Sequence, residues 1–346
     1  MKFEDSEFTT VVPTKMVGPL KIRFGGAIRQ VVVPLATFEI PVWHSVKRGA
    51  LVSQKTAGLD VRVVADVMAR SMILETANLD GALACKFWIE ERRASIGEIV
   101  KKTSNFATLR EIRVENVGRL LYVRLEITTG NAAGHNMVTE AADAVLDFII
   151  SNREDVRYVS VSGNCCCDKK VSSINGILGR GKRVSAEILV PKDVCTTMLR
   201  ATPAGIVGLN VKKNLLGSIL AGGVRSANAH SANVILAIYL ATGQDAANLV
   251  EASQGITFAD LDGEDLYFSV NIPNIIVGTV GNGKELDFAS GNLERLGCSP
   301  TDPDSAKRLA AVIAAAVLCS ELSLMAALSN RGELMACHRK LERHGR

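Results

Sequence analysis

The chain has 346 residues, of which 47% are hydrophobic and 22% charged. That length accommodates one large or two ordinary domains, and the composition excludes a disordered, collagenous or fibrous protein. The 40 Lys and Arg residues barely exceed the 36 Asp and Glu residues, which gives a net charge of +4. So small an excess predicts no nucleic-acid partner, although a local basic cluster can still bind a phosphorylated small molecule.

The eight cysteines do not have the pattern of a disulfide framework, because residues 165–167 are three in a row and no C-x-x-C pair occurs. They predict reduced, packed thiols in a cytoplasmic protein. Residues 1–5 are charged, so no signal peptide is expected. Residues 309–328 are long enough to span a membrane, but alanine dominates them and Glu321 lies among them. We therefore predict a buried helix and no membrane partner.

In chain order, the residues before Arg70 favour strands interrupted by four prolines, and residues 73–75 favour another strand. Residues 79–102 have a mainly helical pattern. Ile112 and Val114 then alternate with charged residues, which is typical of a strand.

A second stretch of strict alternation begins at Leu121 and predicts a strand with one buried face. A turn at residues 115–118 joins it to the preceding strand as a hairpin. The apolar stripe over residues 137–148 predicts a helix, and residues 159–161 predict a further strand.

These elements follow the order β-α-β-β-α-β, which is that of a ferredoxin-like unit. We therefore predict an α+β fold in which a small domain, residues 72–160, is inserted into a large mixed domain formed by residues 1–71 and 161–346. In the second segment of the large domain, a long helix is predicted from a cap at Asp304 to about Asn330.

The segment from Gly176 to Lys182 nearly matches the phosphate-binding loop G-x-x-x-x-G-K-[ST], but Arg183 replaces the hydroxyl residue that binds Mg²⁺. The alternation that follows predicts a strand instead of the helix whose N-terminus would bind phosphates. The pattern therefore disfavours a nucleotide triphosphatase and favours a glycine-rich turn beside some other ligand.

A polar loop at residues 162–170 contains Lys169, which is either a solvated charge or a cation held by its polar neighbours. A fixed cation beside an oxygen that gains negative charge lowers a barrier by about 2.7–4 kcal/mol. Asp245 lies among apolar and small residues, where it is either a helix cap or the partner of Lys169. The five histidines by themselves indicate no site.

A series of sequence blocks, taken in order, resembles the 3-hydroxy-3-methylglutaryl-coenzyme A (HMG-CoA) reductases of class I. Each block alone is weakly specific, whereas their joint order over nearly the whole chain is very specific. The resemblance implies the soluble prokaryotic form without a membrane anchor. The blocks lie at residues 18–20, 34–39, 64–70, 130–137, 162–170, 174–182, 213–218, 228–233, 243–247, 278–283 and 321–328, followed by His338.

The resemblance implies reduction of HMG-CoA to mevalonate and CoA by two NADPH or NADH, via mevaldyl-CoA and mevaldate, in the mevalonate pathway to isoprenoids. It implies no metal, and NADPH is expected to be preferred. Lys169 would stabilise the oxyanion, Glu39 would be the general acid, and Asp245 would bridge these two groups. His338 would protonate the departing CoA thiolate, which is downhill because a thiol pKa of about 8.5 exceeds an imidazole pKa of about 6.5.

The resemblance also implies a homodimer or higher even oligomer with a shared active site, and a small domain that binds the nicotinamide cofactor. The residues implied to bind HMG-CoA are Arg70, Ser162, Lys213 and Asn233, with Ser45, Lys47 and Arg48 in the segment that approaches CoA. The residues implied to bind the cofactor are Asn131, Ala132, Gly134, His135, Asn136 and Gly281.

Some positions depart from the family pattern. Ile40 follows Glu39 where glycine is usual, and Asn131 replaces an aspartate. Asn105 and Leu51 replace arginines, and Asn105 lies in the segment that approaches the 2′-phosphate of NADP. The choice between NADPH and NADH therefore stays open. The same substitutions leave one alternative function, a degenerate relative that binds CoA esters without turning them over.

Overall fold

The computed structural model describes residues 10–342, so the charged start at residues 1–5 lies outside the described part of the chain. The strands of this described part are β1 (Thr14–Phe24), β2 (Ala27–Ala36), β3 (Leu59–Glu75), β4 (Leu109–Val117), β5 (Leu120–Ile127), β6 (Arg157–Ser160), β7 (Gly181–Val190), β8 (Ile256–Asp262) and β9 (Asp265–Ile275). The α-helices are α1 (Ile40–Gln54), α2 (Leu79–Glu91), α3 (Arg93–Thr103), α4 (His135–Asn152), α5 (Ser173–Leu178), α6 (Lys192–Val194), α7 (Pro203–Leu209), α8 (Ser218–Leu220), α9 (Ser231–Ala241), α10 (Leu249–Ala252), α11 (Asp287–Arg295), α12 (Ser305–Ser329) and α13 (Glu333–Glu342). Two π-helical segments, Cys195–Leu199 and Asn210–Gly217, and a 3₁₀ turn, Ala246–Asn248, lie between them.

One mixed sheet has the strand order β2-β1-β3-β7-β9-β8, in which β1 and β3 are parallel and the other neighbours are antiparallel. The sequence of β7 shows why this sheet forms, since Val184, Ala186 and Ile188 alternate with more exposed residues and are all buried. Helices α1, α9 and α12 supply much of the rest of this core.

A second sheet has the order β4-β5-β3-β6, and all its neighbouring strands are antiparallel. It encloses a separate core with α2, α3 and α4. The chain order and the strand order are together those of a ferredoxin-like unit. The predicted α+β fold class is confirmed, whereas the domain limits at residues 72 and 160 stay a prediction.

Strand β3 belongs to both sheets. Its first half, from Asp60 to Val67, pairs with β7, and its second half, from Met68 to Glu75, pairs with β5. The sequence predicted strands before Arg70 and a separate strand over residues 73–75, so it missed that residues 59–75 form one continuous strand. A register shift at Val63 and Ala65 breaks the alternation of side chains, which removes the signal on which a strand prediction depends.

Strand β5 buries Leu121, Val123 and the following apolar residues, as predicted, but its second face is also covered. Arg124 is 1% exposed and Glu126 is 6% exposed, so the prediction of one solvated face was wrong. Arg124 donates to Glu126 at 2.9 Å and to the carbonyl oxygens of Cys165 and Gly179 at 2.9 and 3.0 Å. The loop that the sequence singled out is therefore packed on this face.

Helix α12 begins and ends where the sequence predicted. It is long and apolar enough to cross a membrane, and 94% of its most apolar stretch is buried inside the protein. Glu321, in the middle of this apolar helix, is satisfied by the N–H groups of Ala229 and His230 at 2.8 and 2.7 Å. Asp304 makes no side-chain cap, and Asn131 instead accepts a hydrogen bond from the N–H of Ala306 at 3.1 Å.

Candidate functional site

The loop at residues 162–170, which connects β6 to α5, has an unusual backbone. Asn164, Cys167 and Lys169 have φ angles of 58°, 45° and 56°, in the left-handed region that residues with a side chain rarely adopt. Such residues cost about 1–3 kcal/mol each and persist where the surrounding structure holds them, often at functional sites. The loop thus presents Lys169 in a conformation that its neighbours must maintain.

The ammonium group of Lys169 lies 2.6 Å from Oδ2 of Asp245. Oδ1 of Asp245 accepts a hydrogen bond from the N–H of Ala247 at 3.0 Å and so caps the 3₁₀ turn. Asp245 is therefore both a cap and the partner of Lys169. Burial works to raise the pKa of Asp245, but the hydrogen bonds from Lys169 and Ala247 outweigh it and lower the pKa. The carboxylate is consequently charged at neutral pH.

Arg70 joins this pair from β3. Its Nη1 lies 3.5 Å from both Ser162 Oγ and Asp168 Oδ2, while Nε and Nη2 bind Oγ1 of Thr139 at 3.0 and 2.6 Å. The guanidinium of Arg70, with the hydroxyl of Ser162 beside it, is suited to bind an anionic, oxygen-rich ligand. The lysine cluster comprises Arg70, Ser162, Asp168, Lys169 and Asp245.

His135, the first residue of α4, borders the lysine cluster. Its Nε2 lies 3.1 Å from Oδ1 of Asn248 and 3.7 Å from Oδ1 of Asp168. Burial lowers the pKa of His135, with a further contribution from the positive charge of Arg180, and only partial opposition from Asp168. The imidazole is therefore neutral at pH 7.

Beneath the cluster lies an ion pair that the sequence analysis missed. Arg180 and Glu251 are both fully buried, and Arg180 Nη1 is 2.7 Å from Glu251 Oε1 and 2.9 Å from Asp168 Oδ1. Burial raises the pKa of Glu251 to about 7, although Arg180 acts in the opposite direction. The only signal in the sequence was the position of Arg180 inside the glycine-rich segment. Lys182 of that segment is 2% exposed and pairs with Asp66 at 3.2 Å, so it faces no phosphate.

A second group of predicted residues lines a cavity of about 300 Å³ between α1, α9, α12 and α13, called here the histidine pocket. Ser45 and Ser320 exchange hydrogen bonds at its wall, and Ser320 Oγ lies 2.9 Å from Nε2 of His230. Arg48 pairs with Glu333 of α13 at 2.8 Å. The lining residues that the sequence had singled out for catalysis or binding are Glu39, Ser45, Arg48, Asn233 and His338.

The lysine cluster and the histidine pocket lie apart within one chain. Asn233 lies in the first turn of α9, at the histidine pocket, whereas Asp245 follows the end of α9. An 11-residue helix is about 16 Å long. Glu39 and His338 are therefore not brought to Lys169 within one chain. Lys213 binds the Asn214 side chain at 3.2 Å and lines neither the lysine cluster nor the histidine pocket. Lys47 is exposed and also lines neither of them.

The loops predicted to bind the cofactor lie side by side. Ala132 forms a β-bridge with Val280, and the N–H of Thr279 donates to the carbonyl of Asn131 at 2.8 Å. Gly281 has φ 93° and open space around its Cα. The Asn131 side chain faces away from this opening, because it binds the start of α12.

Gly134 and Asn136 complete this loop at the start of α4. A Cβ at Gly134 would lie 2.4 Å from Thr129, and the φ of Gly134 is 95°, so only glycine is accommodated. Asn136 is exposed in the first turn of α4, which has no side-chain cap. Backbone N–H groups at the start of this helix are thus available to an anion.

The cysteines of residues 165–167 are part of the loop at residues 162–170. Cys166 is buried, and burial raises the pKa of Cys165. Over residues 10–342, no cluster of three or more His, Cys, Asp or Glu side chains has the arrangement of a metal site.

A family model described as hydroxymethylglutaryl-coenzyme A reductase matches residues 8–343 of this chain. The chain belongs to this family. The 3-hydroxy-3-methylglutaryl-coenzyme A reductase of Aeropyrum pernix is 41% identical over 338 residues, which cover 96% of this chain and 80% of the relative. The reductase of Phycomyces blakesleeanus is 41% identical over 334 residues, covering 94% of this chain and 28% of the relative.

Solved structures of the family have the same fold. The class II 3-hydroxy-3-methylglutaryl-CoA reductase from Streptococcus pneumoniae, bound to NADPH in open conformations, has a TM-score of 0.75 to this structure. The match covers 95% of this chain and 78% of that chain at 19% sequence identity. At that identity the likeness concerns the fold alone.

Proposed function

We propose that this protein reduces HMG-CoA to mevalonate and CoA with two molecules of NADPH or NADH, as the reductase of a mevalonate pathway. The observation that carries the proposal is the contact of 2.6 Å between Lys169 and Asp245, in a chain that matches the reductase family over residues 8–343. The 41% identity to the archaeal and fungal relatives, against 19% to the class II enzyme, supports a class I protein.

Lys169 supplies the electrostatic part of the reaction. Reduction of a thioester places negative charge on the carbonyl oxygen, and an ammonium group fixed beside that oxygen stabilises the charge as it forms. Asp245 holds the ammonium by its second oxygen and keeps it from turning toward water. Arg70 and Ser162, on the same side of the loop, bind the carboxylate end of the substrate.

Glu39 and His338 supply protons from the histidine pocket. Glu39 stands immediately before α1 and gives a proton to the substrate oxygen, while His338 on α13 gives one to the departing thiolate. Ser45, Lys47 and Arg48 surround the path of CoA, and Lys213 and Asn233 bind the hydroxymethylglutaryl group. Because the pocket and the lysine cluster lie at opposite ends of α9, we assign the complete site to two chains of a homodimer or higher even oligomer.

The loops at residues 131–136 and 278–283 are the proposed place of the nicotinamide cofactor. The open space at the Cβ position of Gly281, whose φ is 93°, allows a ligand to approach the backbone closely. The bound cofactor supplies the hydride, first to the thioester carbon and then to the aldehyde. We assign the loop at residues 131–136 to a small domain at residues 72–160 and the loop at residues 278–283 to the large domain, in a cytoplasmic enzyme that prefers NADPH and uses no metal.

The direct test combines the purified protein with HMG-CoA and either NADPH or NADH. Oxidation of reduced nicotinamide, with release of free CoA thiol, is the expected result. No oxidation above background with either cofactor contradicts the proposal.

A CoA-ester-binding relative without turnover is the second candidate. It is favoured by Ile40 and Pro41, which start α1 directly after the exposed Glu39, where the family pattern has a glycine after this glutamate. Calorimetry distinguishes the two, because this candidate predicts tight binding of the ester without binding of the cofactor.

A further inference from the structure

Glu251, on α10, is a buried carboxylate to which the proposed chemistry gives no role. It is fully buried and so cannot touch a substrate. Its Oε1 accepts hydrogen bonds from the peptide N–H of Lys169 at 2.6 Å and from Arg180 at 2.7 Å, and its Oε2 accepts one from Asn175 at 3.0 Å. All three donors lie in or beside the loop that carries Lys169.

One short segment of chain, residues 245–251, therefore binds Lys169 at two points. Asp245 binds the ammonium group at 2.6 Å, and Glu251 binds the peptide N–H of the same residue. Since both ends of Lys169 are fixed to this segment, the position of its ammonium group relative to the backbone is also fixed.

We propose that Glu251 is the positioning residue of Lys169, holding its peptide N–H in the left-handed conformation from which the ammonium group reaches Asp245. The inference rests on the function proposed for Lys169. The φ of 56° at Lys169 is disfavoured for a lysine, and a charge-assisted hydrogen bond of 2.6 Å to its own N–H opposes relaxation of the loop.

Arg180 restrains Asp168, the residue before Lys169, in the same way. Its Nη1 lies 2.9 Å from Asp168, and its Nε donates to the carbonyl of Ala69 on β3 at 3.1 Å. A fully buried guanidinium requires compensating negative charge, which Glu251 and Asp168 provide. Removing the charge of Glu251 thus loosens both residues 168 and 169.

Two variants separate charge from position. Glu251→Gln keeps the volume, but both carboxylate oxygens face N–H donors, so the amide nitrogen opposes a donor whichever way it turns. Glu251→Asp keeps the charge opposite Arg180 but withdraws the oxygen from Lys169 by one methylene. We expect kcat to fall about 100-fold in both variants, while KM for the thioester changes by no more than about threefold.

Glu126→Gln is the matched control. Glu126 is 6% exposed and pairs with a buried arginine, Arg124, at 2.9 Å. Arg124 contacts the same loop, at the carbonyl of Cys165 and through Asn175, but neither residue of this pair holds a group of Lys169. A loss of kcat confined to the Glu251 variants supports the positioning role. Wild-type kcat in both Glu251 variants, or an equal loss in Glu126→Gln, overturns it.

Amide hydrogen exchange distinguishes failure of this inference from failure of the proposed function. If the wild-type protein does not oxidise nicotinamide with HMG-CoA, the proposed function fails, but the restraint on Lys169 is still measurable. The Lys169 amide should exchange at least about tenfold faster in Glu251→Gln than in the wild type, with Glu126→Gln resembling the wild type. Unchanged exchange in Glu251→Gln overturns the proposal.

Discussion

At the scale of single residues, Lys169 shows how its surroundings can hold a common side chain in one position. A surface lysine is normally mobile and hydrated, whereas this one has a left-handed backbone, an acceptor on its N–H and a carboxylate at its ammonium. The side chain itself remains accessible, so a substrate can approach the ammonium that Asp245 holds.

We expect Lys169→Ala to lower kcat by at least about 10²–10³, the usual cost of removing a fixed donor from a developing oxyanion. Affinity for the CoA ester should stay within a few fold, because the histidine pocket and Arg70 are untouched. Steady-state kinetics with calorimetry of ester binding measures both. A large loss of ester affinity with kcat retained would assign Lys169 to binding instead.

The role proposed for His338 is specific to one half of the reaction. Only the first reduction releases CoA thiolate, so only that step needs a proton donor at sulfur. His338→Gln should therefore slow reduction of HMG-CoA by about tenfold or more relative to reduction of free mevaldate. Rates measured separately with the two substrates make the comparison, and an equal loss in both would exclude a role at sulfur.

At the scale of elements, the sequence predicted those parts in which one periodicity persists. Helix α12 and the apolar face of β5 were predicted because their patterns are unbroken over many residues. The continuity of β3 was missed because a bulge interrupts its alternation, and α2 and α3 were predicted as one helix because Arg92 separates them without a glycine or proline. The periodicity of hydrophobic residues does not reveal a bulge or a helix break of this kind.

The buried contacts of the candidate site were also beyond a local pattern. Residue types and their order identified Lys169 and Asp245, but Arg180 and Glu251 meet across 71 positions of sequence. A buried ion pair depends on tertiary packing, and nothing in the sequence around Glu251 distinguishes it from a solvated glutamate. The sequence thus predicted the exposed pair of Lys169 and Asp245, and not the buried pair of Arg180 and Glu251 beneath it.

The Glu251 carboxylate should impose a pH dependence on stability. Its pKa is raised from 4.5 to about 7 in the folded protein, so the unfolded chain loses its proton first and the folded state is the one that retains it. Stability should therefore fall as pH rises from about 4.5 to 7, by about 3 kcal/mol, from 1.36 kcal/mol per pKa unit. The groups facing Glu251 are Arg180, Asp168 and Lys169, and Arg180 reduces this dependence.

Urea unfolding of the wild type and Glu251→Gln across this pH range measures the effect. The stability of the wild type relative to the variant should decrease from acid to neutral pH. A constant difference between the two proteins would show that Glu251 is ionised throughout, as a permanent partner of Arg180.

At the scale of the whole molecule, α9 separates the two halves of the chemistry. Its N-terminal end belongs to the histidine pocket, with Asn233, and its C-terminal end leads to Asp245. A proton donor must come within hydrogen-bond distance of the atom that it protonates, and about 16 Å of helix prevents this within one chain. The proposed symmetric dimer would solve the problem, because each pocket would then face the lysine cluster of the other chain.

Mixing two inactive variants tests this arrangement. Glu39→Gln impairs the histidine pocket and Lys169→Ala impairs the lysine cluster, so neither homodimer is active. In a mixed dimer, one of the two sites combines a wild-type pocket from one chain with a wild-type lysine cluster from the other. Random exchange at equal concentrations makes half of the dimers mixed, so activity should return to about a quarter of the wild-type value. Mixtures that stay inactive after subunit exchange has been verified would require both halves of the site to act within one chain, and α9 would then have to move during the reaction.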